Sequence, residues 1–225
     1  FYERAGLVLT LGSKPRKGSL TIMGAVSPPG ADFSEPVTSI TIRFVGALWA
    51  LDKELAFRRH FPAINWLLSF SKYIDILSVF WQKHEPKWTL LRKRAMGILE
   101  EASKIEETAR VIGEKALPDD QRLVLLISEI LREGFLFQNA FHDVDTYCDP
   151  RKQTAMLRAI IEFYDMIKPL VDKGVPIEKI RELRTIVNLK RMREHPELDW
   201  IDRIMNESRI EILALAREYE ISVTI

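Results

Sequence analysis

Gly24-Ala-Val-Ser-Pro-Pro-Gly-Ala-Asp-Phe-Ser-Glu-Pro-Val-Thr38, followed downstream by Arg58-Arg-His-Phe-Pro-Ala-Ile-Asn-Trp66, sets the architecture of the chain. In the first segment an apolar run gives way to a loop rich in proline and glycine; in the second an aromatic residue meets proline at a corner. Just upstream, Leu20-Thr-Ile-Met-Gly-Ala-Val26 is apolar and β-branched at several positions. It lies between Lys14-Pro-Arg-Lys-Gly18 and Ser27-Pro-Pro-Gly30, so it predicts a buried strand between turns. Val45-Gly-Ala-Leu-Trp-Ala-Leu51 predicts another. Both runs are continuous rather than alternating, the pattern of strands covered on both faces in a parallel sheet. Between them Pro36 stands where a short helix can begin, because the first helical N–H has no partner to lose. Residues 1–70 therefore read as the closing strands of an α/β sheet, with edges that call for neighbours.

From about Ser69 onward the pattern turns helical. Leu91, Ala95, Ile98, Ala102, Ile105, Ala109 and Ile112 recur every three or four positions and predict one long amphipathic helix over residues 90–112. Gly113 fits its stop. Pro118, Asp119 and Asp120 fit the next start, since proline suits a first turn and carboxylates suit the positive end of a helix dipole. The second arm of this hairpin is expected over residues 118–133, ending near Gly134. Asp149-Pro150 opens a further helix with Leu157, Ile161, Tyr164, Ile167 and Val171 on one side, and Pro169 should kink it near its end. Gly174 and Pro176 mark a break, after which a last helix is expected over residues 198–219. The fold class is α/β plus α: residues 1–70 complete a sheet-based domain, and residues 71–225 form a mainly α-helical carboxyl-terminal bundle.

Composition narrows the functions. With 225 residues, 47% of them hydrophobic, the chain has enough apolar material for a real core. Lys and Arg number 33 against 32 Asp and Glu, a formal net charge of +1, so no overall field draws phosphate backbones or anionic lipid. Nucleic acid is not an expected partner. The single cysteine, Cys148, leaves no intramolecular disulfide framework and fits a reducing compartment, so the cytoplasm is expected. Apolar runs such as residues 61–70 fall well short of the roughly 20 residues a membrane span needs. Phe1-Tyr-Glu-Arg4 opens the chain without an initiator methionine, a basic leader or an apolar signal core, from which a fragment, a split-gene product or a trimmed chain is expected.

Residues 24–38, the corner at residues 58–66 and Asp143-Val-Asp-Thr-Tyr-Cys148 together closely resemble the catalytic A subunits of A-type and V-type rotary ATPases. The similarity runs from residue 1 to about residue 175. It departs from the usual pattern at Leu7, Ala31 and Asn139, the last standing where an acidic residue is common. The resemblance implies a RecA-like nucleotide domain ending near residue 70, joined to the helical domain of such a protein. It also implies ATP and ADP as ligands, with magnesium supplied by an upstream portion. No G-x-x-x-x-G-K-[ST] occurs in the chain, so the backbone cradle and lysine for nucleotide phosphates are not here, and the chain alone is expected to be inactive. The implied partners are the remainder of the catalytic A subunit, B subunits in an alternating hexamer and the central stalk, in a head peripheral to the membrane. Ser27-Pro-Pro-Gly-Ala-Asp-Phe-Ser-Glu-Pro36 and Phe61-Pro-Ala-Ile-Asn-Trp66 resemble the catalytic type rather than the related non-catalytic B subunits.

The resemblance assigns Phe61 to stacking on adenine, and Gln138, Ala140 and Phe141 to the segment closing the other side. A phenylalanine in an apolar run is ordinarily a core residue, yet a purine needs flat apolar surfaces of the kind two rings supply. His60 and His142 lack Cys, His or Asp partners at ligand spacing and read as surface or capping groups. Asp143 and Asp145 read as structural, Arg58 and Arg59 as a solvated helix end, and Lys190-Arg-Met-Arg193 as a solvated basic face flanked by Glu194 and Glu197. No catalytic and no metal-ligating residue is expected on this chain. By resemblance the hairpin tip meets the rotor, with Glu114, Asp119 and Asp120 facing basic residues and Leu117 supplying apolar contact. The rival readings are a helical interaction module that keeps the scaffold without nucleotide contact, and a self-sufficient enzyme, for which no pair of titratable groups has suitable spacing.

Overall fold

The computed structural model describes residues 1–222. At the amino end β1 (Gly6–Leu9) pairs antiparallel with β2 (Lys17–Leu20), Gly6 opposite Leu20 and Leu9 opposite Lys17. The strand expected over residues 20–26 is thus only entered at Leu20, and residues 21–28 are irregular. α1 (Pro36–Phe44) starts at the expected proline, with the Glu35 carboxylate accepting the Val37 and Thr38 N–H groups at 3.0 and 2.8 Å. β3 (Ala47–Leu48) is two residues long. After α2 (Lys53–Phe57), β4 (Phe70–Ser71) pairs with β3 antiparallel, and an isolated antiparallel bridge joins Leu51 to Ile64. The expected parallel pairing is not made among the described residues. A strand buried on both faces needs neighbours and covering helices, and residues 1–70 offer only local antiparallel partners; Met23, Trp49 and Leu51 stay exposed.

The helical part is built as its periodicity dictates. α3 (Ile74–Gln82) leads to α4 (Trp88–Ile112), where Trp81 and Trp88 stack with ring centroids 5.5 Å apart. α4 buries Leu91, Ala95, Ile98, Leu99, Ala102 and Ile105 along one stripe and stops at Gly113, whose φ of 86° lies where a side chain would be strained. A short 3₁₀ turn, Glu114–Ala116, leads to α5 (Asp119–Leu131). α5 is buried on almost every side, packed by α4 and by α6 (Pro150–Asp172), α7 (Ile177–Arg181) and α8 (Arg184–Arg191). α6 continues through Pro169 to Asp172. A 3₁₀ turn at Met192–Glu194 precedes α9 (Asp199–Glu218), which packs on α6 and α8. The final helix matches its expected span, whereas residues 223–225 of the helical domain lie outside the described residues.

Beyond Leu131 the chain does not stop but runs through a π-helical turn, Arg132–Leu136. Gly134 sits inside it against α8: a Cβ there would lie 2.5 Å from the Leu189 carbonyl oxygen. That close approach aims the following residues, 137–148, back towards the corner at residues 60–66.

Candidate nucleotide-contact site

The two aromatic segments meet through the backbone. The Gln138 N–H donates to the Phe61 carbonyl at 2.7 Å, so segments 77 positions apart in sequence share one edge. Phe61 is 50% exposed and Phe141 is 97% exposed, and their rings are not in contact with one another. Both present apolar surface to solvent at an open site. Ala140 lies between Gln138 and Phe141 and is likewise exposed.

What holds this edge is a set of groups behind it. The Gln138 side-chain amide donates to the Asp145 carbonyl at 2.9 Å. Asp145, 4% exposed, accepts the Asn139 N–H at 2.7 Å and faces the Arg193 guanidinium at 3.4 Å. The structural reading of Asp145 fits this placement. His142 Nδ1 accepts from the Val144 and Asp145 N–H groups, each at 3.2 Å, which is a capping role. His60 is not a surface group: its ring sits edge-on to Trp66 and to Phe137, each with centroids 5.7 Å apart. Burial, with the charge of Arg132, holds its imidazole below the ordinary value of 6.5 against the opposing pull of Glu133.

The basic cluster also differs from its expected solvated face. Met192 is fully buried, Lys190 pairs with Glu129 and, at 3.2 Å, with Glu133, and Arg193 lies over the Phe137 ring at 4.5 Å. Its backbone carbonyl accepts from buried Lys152 at 2.6 Å. Sequence patterning could not separate Arg193 from its neighbours, because only the fold carries it across Phe137. Arg58 does cap the end of α2, as its expected helix-end role requires.

At the hairpin tip the four expected rotor-facing residues separate. Leu117 is 5% exposed and belongs to the core under the tip, so its side chain faces inward instead of outward. Asp119 accepts from Arg122 at 3.0 Å and from the Ile177 N–H at 3.2 Å, which ties α5 to α7. Glu114 is exposed and engages Arg181 at 2.7 Å; Asp120 is exposed. Among the described residues no group of three or more His, Cys, Asp or Glu side chains is placed to hold a metal, so the donors present do not fit a magnesium site. None of the described helices is long and apolar enough to cross a membrane.

A short α/β segment with exposed rings at its corner, continuing into an all-helical bundle, is the arrangement that two families of ATP synthase domains match. Residues 1–71 match the ATP synthase alpha/beta family, nucleotide-binding domain, and residues 77–181 match the C-terminal domain of V and A type ATP synthase. The A subunit of the A-type ATP synthase of Staphylothermus marinus is 50% identical over 98% of this chain, and that of Thermococcus onnurineus is 47% identical over 97%. The chain belongs to the family of A-type ATP synthase A subunits and corresponds to their carboxyl-terminal part. It spans 38% of the length of each of these two relatives. Among solved structures, the ATP synthase protein NeqB from Nanoarcheaum equitans aligns with a TM-score of 0.56, covering 78% of this chain and 38% of that one. At 21% identity that likeness concerns the fold alone.

Proposed function

We propose that this chain supplies the purine-facing wall and the rotor-facing helical domain of a catalytic A subunit in an A-type ATP synthase. The observation that carries the reading is the Gln138 N–H to Phe61 carbonyl bond at 2.7 Å, which brings the two candidate aromatic segments to one edge. An adenine there would meet the Phe61 face, with Gln138, Ala140 and Phe141 closing the other side as the segment moves in. The phosphates and magnesium would be held by polypeptide carrying a phosphate-binding segment, and the reaction is phosphoryl transfer between ADP, phosphate and ATP. Partners in this reading are that polypeptide, B subunits alternating with A subunits in a hexamer, and the central stalk. The stalk would meet the exposed Glu114 and Asp120 at the tip, Asp119 being engaged within the bundle. The head would then lie in the cytoplasm, peripheral to the membrane.

Titrating a fluorescent adenine nucleotide onto this chain, assembled with the phosphate-binding polypeptide, tests the reading. Saturable binding is expected, and Phe61→Ala should weaken it about tenfold, since a base stacked on an aromatic ring contributes roughly 1–3 kcal/mol. Absence of saturable binding would sink it. The almost complete exposure of Phe141 favours one rival, a helical interaction module without nucleotide contact, which predicts that outcome.

A further inference from the structure

We infer that His60, Phe137 and Arg193 form a positioning stack that locks the purine-facing corner to the connection between α8 and α9 of the helical domain; the inference rests on the purine reading above. Three distant parts of the chain converge here. His60 comes from the corner, Phe137 from the exit of the π-helical turn, and Arg193 from the connection between α8 and α9. Phe137 is the middle layer. The His60 ring meets it edge-on at 5.7 Å, and the Arg193 guanidinium lies over it at 4.5 Å, within the range of a cation–π contact.

The state of Arg193 is what hydrogen bonding alone does not explain. Its side chain is only 14% exposed, yet Nε and one terminal nitrogen have no hydrogen-bond partner. A covered guanidinium with unpaired N–H groups is costly and calls for a compensating contact. The Phe137 face supplies one, and two carboxylates supply charge without a well-formed hydrogen bond, Asp145 at 3.4 Å from Nε and Glu194 at 3.5 Å from the other terminal nitrogen. Asp145 in turn holds the Asn139 N–H, and its carbonyl holds the Gln138 side chain. The stack therefore fixes Phe137 while Asp145 fixes the next two residues, and Gln138 delivers the result to the Phe61 carbonyl. His60 completes it as a neutral ring. The charged groups facing it are Arg132 and Glu133 on the π-helical turn, with Arg193 beyond Phe137. Protonation would place a cation in a half-buried position beside Arg132, against which the pull of Glu133 does not prevail. The stack is intact above the ordinary histidine value of 6.5 and loosens as pH falls below it.

The test uses the A-type ATP synthase complex containing this chain, read by amide exchange at Gln138 and by ATP hydrolysis. Phe137→Leu removes the ring faces, Phe137→Tyr keeps them, and Arg193→Gln removes the stacked cation. Phe137→Leu and Arg193→Gln should speed exchange at Gln138 about tenfold and raise KM for ATP about tenfold with kcat within about twofold, the pattern of lost uniform binding. Phe137→Tyr should restore both. Lowering pH from about 7.5 to about 5.5 should raise KM in the parent, and His60→Phe, whose ring cannot charge, should remove that component. Unchanged exchange at Gln138 in both Phe137→Leu and Arg193→Gln overturns the inference; should Phe137→Leu fail to fold, Arg193→Gln decides alone. If Phe61→Ala raises KM and the stack variants do not, the inference falls while the purine reading stands. A Phe61→Ala variant with unaltered KM removes both.

Discussion

Gly134 shows how one missing side chain shapes the site. A methyl group there would press on the Leu189 carbonyl at 2.5 Å, and backbone on that side cannot swing away as a flexible side chain would. Gly134→Ala is expected to lower stability by about 1–3 kcal/mol, the usual cost of overpacking, measurable as a fall in the urea midpoint with unchanged slope. Nothing in the local sequence, Arg132-Glu-Gly-Phe-Leu136, distinguishes this glycine from one that merely ends a helix. The same holds for Arg193 and His60. Both lie among charged neighbours that patterning reads as solvated, and both are covered by residues remote in sequence. The resemblance singled out Phe61 and Gln138; the groups that hold them could not be read from sequence, because tertiary contact alone defines their role.

Among the elements, α2 is a small helix with a disproportionate part to play. The Asp52 carboxylate caps it by accepting the Glu54 and Leu55 N–H groups at 2.8 and 3.3 Å, and it also accepts from the Asn65 side chain at 3.0 Å. Asn65 then receives the Leu67 and Leu68 N–H groups, each at 3.0 Å, so one carboxylate ties α2 to the aromatic corner. Burial pushes the Asp52 carboxyl up, but Asn65 and the two N–H groups outweigh it and hold it below its ordinary 3.8. Its stabilising contribution is therefore present above that value and is lost as pH falls through the depressed one. Asp52→Ala should lower stability by about 1 kcal/mol, the typical value of an N-cap, and raise exchange at the Leu67 and Leu68 amides. The long helices α4, α5, α6 and α9 were visible in sequence through caps and the spacing of their buried residues. α3 is shorter and does not stand out: Asp75, Ser78 and Gln82 do share one face, but nine residues without a side-chain cap leave too brief a period to set its bounds.

Over the whole molecule burial is lopsided. Among the described residues every fully buried apolar side chain except Ala50 lies at or beyond Leu91, while Leu7, Val8, Met23, Phe44, Trp49 and Leu51 are exposed. A core of that kind belongs to the helices alone. A fragment of residues 86–222 is expected to unfold in one cooperative urea transition with native-like helical circular dichroism, whereas residues 1–70 alone should show none. Two transitions in the helical fragment, or a cooperative one in residues 1–70, would contradict this. The expected parallel pairing is not made for the same reason: continuous apolar runs signal coverage on both faces, and residues 1–71, which match part of a nucleotide-binding domain, receive none among the described residues. The densely packed bundle is joined to the corner by Trp66, which packs against its core, by the His60 stack and by the bond from Gln138 to Phe61. A displacement of the bundle relative to the corner would therefore be felt first at the bond from Gln138 to Phe61, because these few contacts carry it from one to the other.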